Sequence, residues 1–205
     1  MKSGTRDSSG PFVIRSATQI RALASPARQE IVDALVAAGP ASIGDLAGLL
    51  GRAADSLYFH VKVLIRVGLV VEAGERREGR HAAALYDVPA RPLMISYERP
   101  RARGFERVIG SALRLAYREY RRGLADDTCV AQGPCRNLWA GRAKGWVDET
   151  ELLRLNELLR ELFTTVHSGR PGPGRKAVSF SCVLAPPRVA PRPAHRVGAR
   201  KGAAS

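Results

Sequence analysis

Apolar residues along this chain recur at helical intervals, switch to alternation, and then return to helical intervals. Ile20, Leu23 and Ala24 come first, before Ser25-Pro26, where a serine cap and a first-turn proline predict a new helix. Ile31, Val32 and Leu35 mark the inner face of that helix, and Gly39-Pro40 stops it. Ser42, followed by Asp45, opens a third helix whose apolar face is Ile43, Leu46, Leu49 and Leu50. Past a tight turn at Gly51, a fourth runs from about Ala54 to Val67. It carries Leu57, Val61, Leu64 and Ile65 on one side and Asp55, Tyr58, Lys62 and Arg66 on another.

The pattern then changes. Leu69–Glu72 and Ala83–Val88 read as two strands around a turn rich in charge and glycine, residues 74–80. Arg91–Pro100, with two prolines, reads as a connector, and a long helix follows from about Ala102 to Arg122. Residues 125–145 lack a period. Asp148 or Thr150 caps a last helix dense in leucine (Leu152, Leu155, Leu158, Leu159, Leu162), and Ala177–Leu184 alternates like a strand. The expected organisation is a flexible arm over 1–15, a folded domain over 16–90, a helical dimerisation or effector region over 91–185, and a disordered basic tail over 186–205.

Helices in this order, followed by a two-stranded hairpin, predict a mainly α fold: a winged helix-turn-helix and a helical C-terminal region with one candidate strand. Such a motif sets its second helix in the major groove of DNA. The net charge of +14 fits a polyanionic partner, but its distribution weakens that support. Residues 18–90 hold eight basic and eight acidic residues; the excess lies in residues 91–123, at +6, and in the tail, at +5. The polar N-terminus and the lack of a long apolar run predict a soluble cytoplasmic protein with no membrane partner. Cys129, Cys135 and Cys182 read as reduced thiols, with thiol or metal sensing as the alternative.

Two stretches carry a family resemblance. Leu23-Ala-Ser-Pro-Ala-Arg-Gln-Glu-Ile-Val-Asp-Ala-Leu35 resembles the opening helix of ArsR-like winged helix-turn-helix transcriptional regulators. Phe59-His-Val-Lys-Val-Leu-Ile-Arg-Val-Gly-Leu-Val70 is similar to the exit of their recognition helix. The likeness spans roughly residues 16–90 and implies a homodimeric repressor that leaves its operator on binding an effector. Metal-sensing members carry a Cys-x-Cys box before the turn. Here that helix reads Ile43-Gly-Asp-Leu-Ala-Gly-Leu-Leu50, so neither a metal nor a cofactor is expected.

The candidate DNA-binding residues are Arg52, Asp55, Ser56, Tyr58, Phe59 and Lys62 on or before the recognition helix, and Arg76, Arg77 and Arg80 in the wing. Hydroxyls at Ser56 and Tyr58, a cation at Lys62 and an apolar ring at Phe59 are the group types that read base edges and phosphates. The alternatives are that Tyr58 and Phe59 pack on the wing or a neighbouring helix, and that the wing arginines, offset by Glu75 and Glu78, sit on a solvated tip. Asp55, repelled by phosphate, is expected to cap its helix, and His60 to be a hydrogen-bonded structural residue. A basic face of Arg114, Arg118, Arg121 and Arg122 reads as solvated, and Trp139 with Trp146 could wall a pocket for a small apolar effector. No nucleophile–base pair, carboxylate pair or phosphate-binding glycine loop stands out, which points away from catalysis. The expected function is a sequence-specific transcriptional regulator. The alternatives are a winged helix that binds another protein, or an enzyme with its catalysis in residues 101–185.

Overall fold

The computed structural model describes residues 11–78, 81–96 and 104–186. Four helices lead: α1 (Ala17–Leu23), α2 (Pro26–Ala38), α3 (Ile43–Leu50) and α4 (Ala54–Arg66). A strand β1 (Phe12–Ile14) precedes them, and β2 (Val71–Glu78), β3 (His81–Asp87) and β4 (Leu93–Ile95) follow. The long helices α5 (Phe105–Leu124) and α6 (Glu149–Ser168) complete the described chain. This is a winged helix-turn-helix, with β2 and β3 as the antiparallel wing.

The caps follow the polar residues that the sequence places ahead of each helix. Ser42 and Asp45 form a reciprocal capping box at the start of α3, each bonding the other's backbone N–H. Gly51 ends α3 in the left-handed region at φ 59, a conformation that costs glycine nothing, and so turns the chain sharply into α4. At the far end of α2, Arg91 donates to the carbonyls of Leu35 and Val36 while pairing with Asp87. That guanidinium satisfies the Val36 carbonyl left open at the helix end, adds a second bond to the Leu35 carbonyl already held by the Gly39 N–H, and ties the base of the wing to α2.

One core holds the domain together. Ile31 and Leu35 of α2, Leu46 of α3, and Leu57, Val61 and Leu64 of α4 are buried together with Leu69, Val70 and Val88. Each such side chain contributes roughly 1.5–3 kcal/mol on leaving water. Ile14 of β1 and Val108 of α5 belong to the same cluster. The folded unit therefore draws on residues on both sides of the 16–90 span.

Several sequence expectations change here. Phe12–Ile14, read as part of a flexible arm, pairs in parallel with Leu93–Ile95, which had been read as connector. Both runs are three-residue and too short to show a period, so only the tertiary pairing defines them. Leu69 and Val70 are buried turn residues, and β2 starts at Val71 and runs through the charged segment to Glu78. A bulge between Glu72 and Glu75 brings Gly74 to φ 97 and bends that strand. Ala177–Leu184 is not a strand: it has no regular secondary structure and no ladder partner among the described residues. The tail beyond 186 and Arg80 lie outside the described residues.

Candidate nucleic-acid interface

Helix α4 divides cleanly. Leu57, Val61 and Leu64 point into the core, while Asp55, Tyr58, Phe59, Lys62 and Arg66 share the opposite, exposed face at three- and four-residue spacing. Tyr58 is 48% exposed and Phe59 65%, unusual for aromatic side chains on a small domain. Phe59 meets the His60 ring edge-on at a centroid distance of 5.6 Å. Tyr58 lies near Tyr86 of β3, whose phenol is raised above its ordinary pKa by burial first, then by Glu72 and Tyr58.

Ser56 donates its hydroxyl to the Ala53 carbonyl at 2.7 Å, locking the first turn of α4. Asp55 sits in that turn, where its charge suits the helix dipole, but it is not the cap: Ala53 holds the cap position and no side chain bonds there. The expectation for His60 also changes. Its Nδ1 is buried without a hydrogen-bond partner, and burial, with help from Arg28 and Arg52, lowers its pKa and favours the neutral ring.

The wing and turn arginines are not equivalent. Arg76 bonds both carboxylate oxygens of Asp45, at 3.0 and 2.9 Å, and so pins β2 against the start of α3. A shallow groove of Ala38, Ala41, Gly44, Gly48 and Leu49 lies beside this pair. Arg77, the next residue, is exposed on the other face of the strand. Arg52, at the α3–α4 turn, places its guanidinium on Glu30 of α2 at 2.6 Å. Glu30 also accepts from Arg118 of α5, so Arg118 is not part of a merely solvated face. Spacing alone gave no sign of Glu30, because its partners lie 22 and 88 residues away.

The C-terminal region offers less order. Trp139 is 69% exposed and Trp146 75%, so neither walls a cavity, and Arg136 stacks on Trp139. None of the residues of α6 is buried, although Phe163 meets Phe180 edge-on at 5.3 Å. Cys129, Cys135 and Cys182 are free thiols, and burial raises the pKa of Cys182. Among the described residues, no cluster of three or more His, Cys, Asp or Glu side chains could hold a metal ion, and no helix is long and apolar enough to cross a membrane.

Residues 23–73 match the family model for a helix-turn-helix domain, covering α2, α3, α4 and the start of the wing. Comparison with the curated proteins finds no match. Among solved structures, the chain is similar to the crystal structure of M. tuberculosis Rv0081, with 28% identity over 54% of this chain and 89% of that one, at a TM-score of 0.30.

Proposed function

We propose that this protein is a sequence-specific DNA-binding transcriptional regulator of the ArsR-like winged-helix kind. The observation that carries this reading is the exposed face of α4. It sets Tyr58, Phe59, Lys62 and Arg66 outward from a helix whose other face is locked in the core. A major-groove helix needs this combination: a rigid mount and an outward row of hydroxyl, apolar and cationic groups. Ser56 and Arg52 sit at the end of α4 that enters the groove first, and Asp55 beside them offers an acceptor for a cytosine amine. Arg77, exposed on the wing strand, would meet the flanking phosphates or minor groove.

The same reading makes the protein a homodimeric repressor relieved by an effector. Support for the dimer comes from two apolar strips left open to solvent: Leu113, Tyr117 and Leu124 on α5, and Leu152, Leu158, Leu162 and Phe163 on α6. A two-fold dimer presents two α4 helices to successive major grooves, with half-sites about 34–36 Å apart.

The test is selection of duplexes bound by the full-length protein, followed by affinity measurements with Lys62→Ala and Arg77→Ala. The expected result is a pseudopalindromic consensus, an affinity that falls with salt, and a loss of roughly three- to tenfold for each variant. Binding with no sequence preference and no response to either variant would leave α4 as a protein-interaction surface instead.

A further inference from the structure

We propose that Glu30 is a positioning residue for the DNA-facing turn, and that Arg118 on α5 sets how firmly Glu30 holds Arg52. The inference rests on the assignment of Arg52 to the DNA interface made above. It adds a route by which the helix after the wing controls that interface.

Glu30 projects from α2 with only 10% of its side chain exposed, and both its oxygens are occupied. Oε2 accepts from Arg52 Nη2 at 2.6 Å, and Oε1 accepts from Arg118 Nη2. A carboxylate this far from water requires a compensating charge, and one guanidinium suffices. Here two compete for it, one from the α3–α4 turn and one from α5.

The consequence is directional. A phosphate and Glu30 are rivals for the Arg52 guanidinium, which is 34% exposed and so within reach of a ligand. With Arg118 in place, part of the Glu30 charge is neutralised from behind, and Arg52 can turn its remaining donors outward. When Arg118 withdraws, the full charge falls on Arg52, which then has less positive charge to offer the phosphate backbone. A shift of α5 against α2 is thereby converted into a change in what the turn offers to DNA.

The seam between these helices is suited to such a shift. Next to Glu30, Gln29 donates its amide to the Val108 carbonyl of α5 at 3.0 Å. Gln29 Oε1, Ser111 Oγ and Arg118 Nε are buried along the same seam without a hydrogen-bond partner. Each unsatisfied group costs roughly 1–3 kcal/mol, so a shift of α5 that paired them would recover part of that cost. An interlocked apolar contact has no such alternative.

The experiment is a mutant cycle on the full-length protein with two readouts. In the free protein, NMR of the Arg52 side-chain nitrogens should show it tighter in Arg118→Gln and released in Glu30→Gln. On a selected duplex, R118Q should weaken binding about fivefold and lower the salt slope by up to about one, as expected if one phosphate contact is lost. E30Q should bind at least as tightly as wild type, the double variant should match E30Q, and Arg118→Lys should restore wild-type affinity. An R118Q loss of equal size in the E30Q background means that Arg118 acts on DNA itself, and the proposal falls. If wild type binds no duplex, the functional reading above fails. The free-protein signals then decide this one, and an Arg52 unmoved by R118Q overturns it. Should E30Q fail to fold, Glu30→Asp replaces it, since the shorter acid cannot reach both arginines.

Discussion

Asp45 performs two tasks, and its removal is a sharp test of how this domain is assembled. Its Oδ2 accepts from the Ser42 backbone N–H at 2.8 Å to close the capping box of α3, and its Oδ1 accepts from Arg76 of the wing at 3.0 Å. Those bonds, the Arg76 bond first and the Ser42 backbone bond second, pull the carboxyl from its ordinary 3.8 down to about 2. Taken at face value that displacement is worth about 2 kcal/mol, but about a third of the side chain is exposed and screening reduces it to about 1 kcal/mol. Asp45→Asn keeps an acceptor for the Ser42 N–H but loses the charge, and so should cost about 1 kcal/mol in urea unfolding at pH 7. Because the folded pKa is depressed, this stability is fully present above about pH 4 and disappears as pH falls through about 2. The gap between wild type and variant should therefore be constant from pH 7 to about pH 4 and close below it. In a cycle with Arg76→Gln, the two losses should be less than additive. A gap that does not narrow in acid, or fully additive losses, would refute the claim that Asp45 links cap and wing.

Three further outcomes follow from the same packing. Leu64→Ala removes a side chain with no exposure from the centre of α4 and should cost roughly 2–5 kcal/mol by chemical denaturation, a loss under 1 kcal/mol arguing against the core assignment. Gly51→Ala meets no neighbouring atom, so its cost is that of the left-handed backbone alone, about 1–2 kcal/mol. Circular dichroism melts of the variant should show the drop without a change in helix content at low temperature. Asp148→Ala removes the capping box of α6 and about 0.5–2 kcal/mol of local helix stability. Because α6 buries nothing, far-UV ellipticity should fall while the main unfolding midpoint stays put, and a lower midpoint would mean that α6 braces the domain.

The helices were legible because each announces itself locally. Ser25-Pro26, Ser42 with Asp45, and Asp148 all lie where the chain turns helical, and the glycines Gly39 and Gly51 follow the stops. The core list from α2 to α4 could be read for the same reason: a helix repeats its buried face every three or four residues. What the sequence hid was non-local. Strands of three residues such as β1 and β4 carry no period, and they exist only because Ile14 and Leu93 find the same core. The wing extends through a segment so charged and glycine-rich that it reads as a turn, because its partner strand supplies the order that its composition denies. The site behaves the same way. Tyr58, Phe59 and Lys62 are placed outward by helical geometry alone. The pairing of Arg52 and Arg118 through Glu30, and of Arg76 with Asp45, depends on contacts that no spacing encodes.

Those pairings change what the balanced charge of residues 18–90 means. A domain with eight basic and eight acidic residues is a poor electrostatic magnet for DNA if the charges are spread at random. Here three of the eight acids are held by specific arginines: Glu30 by Arg52, Asp45 by Arg76, and Asp87 by Arg91 just beyond that span. Those pairs sit at the turn, the wing base and the back of α2, while the α4 face carries Lys62, Arg66 and two exposed aromatic rings against the single acid Asp55. On the proposed reading, that face relies more on groove contacts than on phosphate attraction. The long-range pull then falls to the strongly basic segment beyond the wing, where α5 also carries Arg118. Recognition and attraction would reside in different parts of the chain, and Glu30 is the residue through which the two are in contact.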